Sequence, residues 1–361
     1  MQRTERFLVL DFLRGGAALC VVLLHWCDGV GLPWFGYGYL AVDFFFLLSG
    51  FVIAHSYEAR LLGTMPFGYF IWVRFVRLYP MILAGVAVGL FRFVIRNHLV
   101  PESHGSVSEY LHLTVANAFM IPVWHSTDLV SGSGPGTAYP LDQPLWSLFY
   151  EGLAYIVYAA CIRRLSKTAL VGISLTGLVG LIVVISTGWV NSDMIPVPFA
   201  AQAPRVIFSF FFGVLIYRLH NGMHLRFAAA GPLALSVILI AILALPKGHD
   251  DLWFEIGTVA VGFPVILVLG ANHQPIGFGA WAGKLIGDLS YPVYALHVPL
   301  LWMITGGLKV VSLYDGISPV LLGAFAVTTV CLLSWLALKL YDEPMRRWLS
   351  GVVLLKRPDP I

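Results

Sequence analysis

The sequence predicts an all-α integral membrane protein, a bundle of about ten transmembrane helices with one further re-entrant or interfacial segment. Three observations predict it. Hydrophobic residues make up 58% of the chain and charged residues 11%, where a soluble domain carries about 25% charged residues. The apolar runs are about 20 residues long and do not alternate as barrel strands would. Lys and Arg, finally, fall overwhelmingly on one set of alternating loops.

The spans can be justified in order. The first, 7–28, follows MQRTERF and is interrupted by Asp11 and Arg14. It has no small-residue cleavage site, so it reads as a retained helix and not a removable signal. The second, 39–57, carries Asp43 near its start and Ser49–Gly50 near its middle, and the third, 69–91, opens on FIWVRFVRLYP. The stretch from Tyr110 to Trp124 is apolar but short, and it contains His112 and Asn117. Were it to span, Arg163, Arg164 and Lys167 would change sides, so it is expected to be re-entrant or interfacial. The SGSGPGTAYPLDQP run at 131–144 is expected to be a flexible outer loop near a mouth of the bundle. The remaining spans are 144–162, 168–188, 203–219, 227–245, 254–270, 290–308 and 318–340.

With the N-terminus cytosolic, the inner side collects fifteen Lys and Arg residues, and the outer side keeps four: Arg92, Arg96, Lys247 and Lys309. Both termini are then cytosolic in a multi-pass protein of the inner (plasma) membrane. Residues 1–345 read as one transmembrane domain, and 346–361 as a short cytosolic tail.

Composition excludes several functions. A net charge of +3 is too small for nucleic-acid binding. Cys20, Cys27, Cys161 and Cys331 lie singly in apolar runs, with no C-x-x-C, and read as small core residues. His220 and His224 have the spacing of a metal pair, but Gly222 sits between them and no carboxylate is near in sequence, so no metal site is expected.

Polar groups that interrupt apolar helices carry the functional signal. Arg14 and His25 are eleven residues apart, which returns them to within about 20° on one helix face, separated by roughly 16 Å along the axis. Arg74 and Arg77 share a face one turn apart, just inside the cytosolic boundary. With Arg14 they form a set of fixed cations suited to a phosphorylated ligand. Ser147 and Glu151 of PLWSLFYE share a face, as do Ser290, Tyr294 and His297 of SYPVYALH. In a dry interior His25 is expected to be uncharged and able to accept a proton, with a carboxylate such as Glu151 to orient it and stabilise the resulting cation. Asp43, Trp146, Ser147 and His297 are the candidates for holding substrate, although Asp43 and Arg205 also suit a structural role. A long ligand with a phosphate head and a buried reactive end, such as acyl-coenzyme A, has the matching shape.

Five stretches, LDFLRGGAALCVVLLHW, VDFFFLLSGFVI, RFVRLYP, PLWSLFYE and SYPVYALH, resemble the acyltransferase 3 family of membrane O-acyltransferases, in the family's order and across nearly its whole length. The resemblance implies ten spans and transfer from cytosolic acyl-CoA, usually acetyl-CoA, to a hydroxyl of a sugar, polysaccharide or glycolipid presented from outside, with membrane lipid around it and no metal. It puts His25 at the family's essential histidine and Arg14 at its essential arginine. Arg74 and Arg77 fall on its R-x-x-R pair, and Glu151 on the acid closing W-S-L-x-x-E. Ala41 stands where the family often has Gly, a small steric change. No SGNH hydrolase-like domain is expected, which would favour direct transfer to the acceptor. The rival function is a transporter or flippase of a phosphorylated or lipid-linked substrate, but neither an inverted repeat nor a matched pair of broken helices is evident.

Overall fold

The computed structural model describes residues 6–99, 106–123, 137–187, 197–220, 231–248, 251–272, 278–314 and 316–354. The helices run in order α1 (Leu8–Val30), α2 (Ala41–Leu62), α3 (Phe67–Leu99), α4 (Val107–Ala118), α5 (Leu145–Cys161), α6 (Lys167–Ser186) and α7 (Val197–Ala200). After these come α8 (Ala203–His220), α9 (Gly231–Ala244), α10 (Leu252–Gly257), α11 (Phe263–Ala271), α12 (Phe278–Val310), α13 (Pro319–Ala337) and α14 (Glu343–Leu354). Single π turns at Thr258–Gly262 and Leu338–Asp342 join α10 to α11 and α13 to α14 without breaking the helical path.

Among the described residues, eight helical stretches are long and apolar enough to cross a membrane, and two shorter apolar helices cover Leu145–Cys161 and Leu233–Ala244. Together they coincide with the ten expected spans, so the protein is a multi-pass helical membrane protein. The segment expected to be re-entrant or interfacial holds the 12-residue α4, too short to cross a bilayer. Ser106 starts it with a capping box, accepting from the Glu109 amide while Glu109 accepts from its own. Gly31, at φ 72°, ends α1 in the left-handed conformation that glycine adopts without steric cost. Pro80 lies inside α3, where a membrane helix tolerates it.

The chain forms two compact units. The first comprises residues 1–64 and 147–294, the second residues 65–146 and 295–361. In the first, glycines let helices approach backbone to backbone, the contact that replaces hydrophobic association within lipid. A Cβ on Gly50 of α2 would stand 1.9 Å from the Phe210 carbonyl oxygen of α8, and one on Gly213 would stand 2.1 Å from that of Leu47. A Cβ on Gly15 of α1 would meet the Ile286 side chain of α12 at 2.0 Å, and Gly283 and Gly287 press on Leu8 and Asp11.

In the second unit, the loop before α5 lies on α3. Residues 131–136 fall outside the described residues, but Thr137–Asp142 are buried rather than forming the flexible surface loop expected. The reason is local: Gly89 receives the Leu141 carbonyl and Gly85 the Asp142 carboxylate, while Asn117 Oδ1 of α4 accepts the Leu141 amide at 3.2 Å. Cys20 and Cys27 are buried as expected, but Cys161 is exposed at the end of α5, outside any core. The stretch expected as a tail is helical as α14 as far as Leu354.

Candidate active site

Arg14 sits on α1 about two turns from its start. It is half-buried and held on three sides: Nε donates to Ser290 Oγ at 2.8 Å, Nη2 donates to the Gly287 carbonyl at 2.8 Å, and Nη2 pairs with Asp11 Oδ1 at 3.0 Å. The glycine contacts between α1 and α12 bring the guanidinium within reach of a backbone carbonyl. The Ser290 hydroxyl donates a hydrogen bond to the Gly287 carbonyl at 2.7 Å, leaving its oxygen free to accept from Arg14. Asp11 also pairs with Arg6, which reaches Asp288 at 2.9 Å. Two arginines and two aspartates therefore alternate here, so the Arg14 cation is oriented and partly neutralised.

His25 lies on the same α1 face, five residues before the helix ends, and is half-buried. Beside it, Leu24 packs on Gly38, where the single 3-10 turn Gly38–Leu40 closes on α1. Glu151 is six residues into α5 and half-buried. Its Oε1 accepts from Ser49 Oγ of α2 at 2.6 Å and from the Tyr155 hydroxyl. Two hydroxyl donors on one oxygen fix the direction of the carboxyl group.

Ser147 and Tyr294 meet, their oxygens 2.6 Å apart, and Phe45 packs edge-on against the Tyr294 ring. Asp43 is 1% exposed and engages Arg205, which donates from Nε at 3.1 Å and from Nη2 at 2.5 Å. Gln202 Oε1 accepts from Nη1 at 3.1 Å, and the Tyr39 carbonyl accepts from Nη2 at 3.3 Å. This is the geometry of a structural ion pair joining α2 to α8. A second such knot forms where Arg218 Nε and the Tyr158 hydroxyl both donate to Glu58.

Arg74, Arg77, Trp146 and His297 belong to the second unit. Both arginines are half-buried on α3, and Arg77 bears, with Arg346, on the buried Asp342 carboxylate. Trp146 is half-buried in the first turn of α5, and His297 is wholly buried on α12.

The geometry thus joins Arg14 to Ser290, Glu151 to Ser49, Ser147 to Tyr294 and Asp43 to Arg205. Sequence reasoning missed Asp11, Ser49, Tyr155 and Asp342 as partners. Asp11 could have been found from its i, i+3 spacing to Arg14 and Tyr155 from its i, i+4 spacing to Glu151; Ser49 to Glu151 and Asp342 to Arg77 are long-range and leave no local signal. No group of three or more metal-ligating side chains occurs among the described residues. His220 ends α8, and His224 lies outside the described residues.

Comparison with known proteins then adds independent information. The sequence profile of a family described as "Acyltransferase domain" matches residues 7–339. "Protein 2 in picA locus" of Rhizobium radiobacter is 35% identical over 167 residues, covering 43% of this chain and 82% of that protein. "O-acetyltransferase OatA" of Staphylococcus aureus (strain NCTC 8325 / PS 47) is 22% identical, covering 94% of this chain and 57% of its own length. The chain thus spans little more than half of that relative. No solved structure matches.

Proposed function

Because the chain belongs to the acyltransferase 3 family of membrane enzymes, we propose that it moves an acyl group, acetyl in the first instance, from cytosolic acyl-CoA to a hydroxyl of a carbohydrate acceptor on the extracytoplasmic side. The reading takes both termini as cytosolic in the inner membrane, following the Lys and Arg bias. The observation that carries it is the face of α1. Arg14 is braced by α12 near one end of that helix, and His25 lies roughly 16 Å farther along the same face. A phosphate-bearing donor held at Arg14 reaches His25 with its thioester end; Arg74 and Arg77 are proposed as donor-binding residues on the ground of the sequence.

In this mechanism the acceptor hydroxyl is activated in place. His25 takes its proton as the oxygen attacks the thioester carbon. The carbon–sulfur bond breaks, the coenzyme A thiolate leaves and recovers the proton from the imidazolium, and the ester and neutral His25 remain. Glu151 is the proposed counter-charge. It lies about 9 Å inside the start of α5, and His25 about 8 Å inside the end of α1, so the two share a depth when those ends lie on one side. Ser147 is proposed to line the acceptor path and Asp43 to shape its wall through Arg205, and Trp146 and His297 are proposed as acceptor-binding residues on the ground of the sequence. The name of the Staphylococcus relative supports O-acetyl transfer.

The test is to incubate membranes containing the protein with acetyl-CoA radiolabelled in the acetyl group and to follow label into envelope glycans. His25→Ala should lower transfer by about 10²–10⁴-fold while the protein stays inserted. Glu151→Gln should slow turnover strongly, and the double variant should be scarcely worse than His25→Ala, because members of one catalytic unit are non-additive. Substantial transfer by a well-inserted His25→Ala protein sinks the mechanism.

A further inference from the structure

The proposed mechanism makes no use of Asp142, whose carboxyl group is wholly buried in the second unit. Neither of its oxygens has a hydrogen-bond partner among the described residues. A carboxylate in such a place is costly to keep ionised, because nothing replaces the water it has lost.

α12 presents the complementary defect. It runs unbroken from Phe278 to Val310 although Pro299 lies inside it. Proline has no N–H, so the Ala295 carbonyl, four residues earlier, is without its helical donor, and the ring pushes that carbonyl off the helix path. A carbonyl freed in this way inside a membrane helix takes its donor from a neighbouring element.

The two groups meet at Gly85 of α3. A Cβ there would stand 2.9 Å from the Ala295 carbonyl oxygen and would collide with Asp142 Oδ2. Glycine at this position therefore opens one gap that a carboxyl oxygen and a donorless carbonyl share. Two acceptors facing one gap repel, whereas a carboxyl group that keeps its proton makes them donor and acceptor. Asp142 is also where α5 begins, since its backbone carbonyl accepts the Leu145 amide at 3.1 Å. Residues 85, 142, 145, 295 and 299 all belong to the second unit.

We infer that Asp142 is a positioning residue: as a neutral acid it donates a hydrogen bond from Oδ2 to the Ala295 carbonyl, and this clasp fixes the start of α5, the helix that carries Glu151. The positioning role rests on the proposed function of Glu151 and acts through α5, not through contact with substrate.

Three measurements on the full-length protein in detergent test it. Infrared spectra of protein labelled with carboxyl-13C aspartate read the proton directly. Near neutral pH, wild type minus Asp142→Asn should show the carbonyl stretch of a protonated acid. Carboxylate bands in its place overturn the inference.

Melting temperatures read the clasp. Asp142→Ala removes the donor and should lower the melting temperature, whereas Asp142→Asn, whose amide also donates, should not. Pro299→Ala gives the Ala295 carbonyl a helical N–H of its own. In that background Asp142→Ala should cost roughly half as much or less. An equal loss in both backgrounds means that Ala295 is not the partner and overturns the clasp.

Acyl transfer reads the positioning role. Asp142→Ala should lower kcat about tenfold with KM for acyl-CoA unchanged, and Asp142→Asn should keep kcat near the wild-type value. An unchanged kcat in Asp142→Ala would make the clasp structural alone and overturn the role. The infrared and melting measurements need no acyl-CoA, so an absence of transfer by the wild type overturns the proposed function and leaves the clasp to be decided by them.

Discussion

The Ser147 Oγ and the Tyr294 hydroxyl oxygen lie 2.6 Å apart, with the two residues 3% and 7% exposed. The bond ties the first turn of α5 to the middle of α12. Tyr294→Phe keeps the ring against Phe45 and removes only the hydroxyl. It should cost about 1–3 kcal/mol, read as a lower melting temperature in detergent. A double-mutant cycle with Ser147→Ala should show a coupling of about 0.5–3 kcal/mol; additive losses would mean the contact is not an energetic pair.

Asp43 and Arg205 should behave as a buried pair. Arg205→Met strands the carboxylate and should cost roughly 3–5 kcal/mol, seen as loss of folded protein on extraction. Adding Asp43→Leu should recover part of the loss, since two matched apolar residues leave no buried charge. A double variant worse than Arg205→Met would show that Asp43 matters beyond this pair.

The bracing of Arg14 should appear in kinetics. Ser290→Ala removes one of its acceptors and leaves Gly287 and Asp11 in place. It should raise KM for acyl-CoA roughly fivefold with little change in kcat. Arg14→Lys should raise it further, because an ammonium lacks the fork that reaches Ser290 and Gly287 together. A fall in kcat with KM unchanged would move Arg14 from donor binding to the chemical step.

Asp142 gives a pH signature. It is 0% exposed, neither carboxylate oxygen has a hydrogen-bond partner among the described residues, and burial pushes its carboxyl well above the usual carboxylate range. Below the ordinary value of about 3.9 the folded and unfolded forms are both protonated, and the group imposes no penalty. Above it the unfolded chain releases the proton first, so stability falls as pH rises until the folded group ionises too. The melting temperature of Asp142→Asn minus that of the wild type should therefore grow from pH 4 to pH 7. A difference that stays flat or shrinks would show that the carboxyl is ionised in the fold.

The positions of the ten spans were legible because length and hydropathy alone decide which segments can cross lipid, as the match from α1 to α13 illustrates. Local periodicity also put Ser147 with Glu151 and Ser290 with Tyr294 on shared faces. It could not say what those faces meet. Ser49 accompanies Glu151 from 102 residues away and Ser290 accompanies Arg14 from 276, and no spacing rule reaches so far. The loop before α5 was misread for a related reason. Gly, Ser and Pro predict a turn-rich segment, but the fate of Leu141 and Asp142 depends on two glycines of α3 that only the tertiary structure pairs with them.

The crossing of α1 with α12 has a consequence for synthesis. Arg14 is made early, and Ser290 and Gly287 emerge only when most of the chain has been translated. Until then α1 waits in the membrane with a cation and no α12 beside it. Asp11, one turn away, can pair with Arg14 as soon as the helix forms, and that pair persists at 3.0 Å in the finished protein. The short-range partner acts as a chaperone built into the first helix, holding the charge until the ribosome delivers the long-range ones.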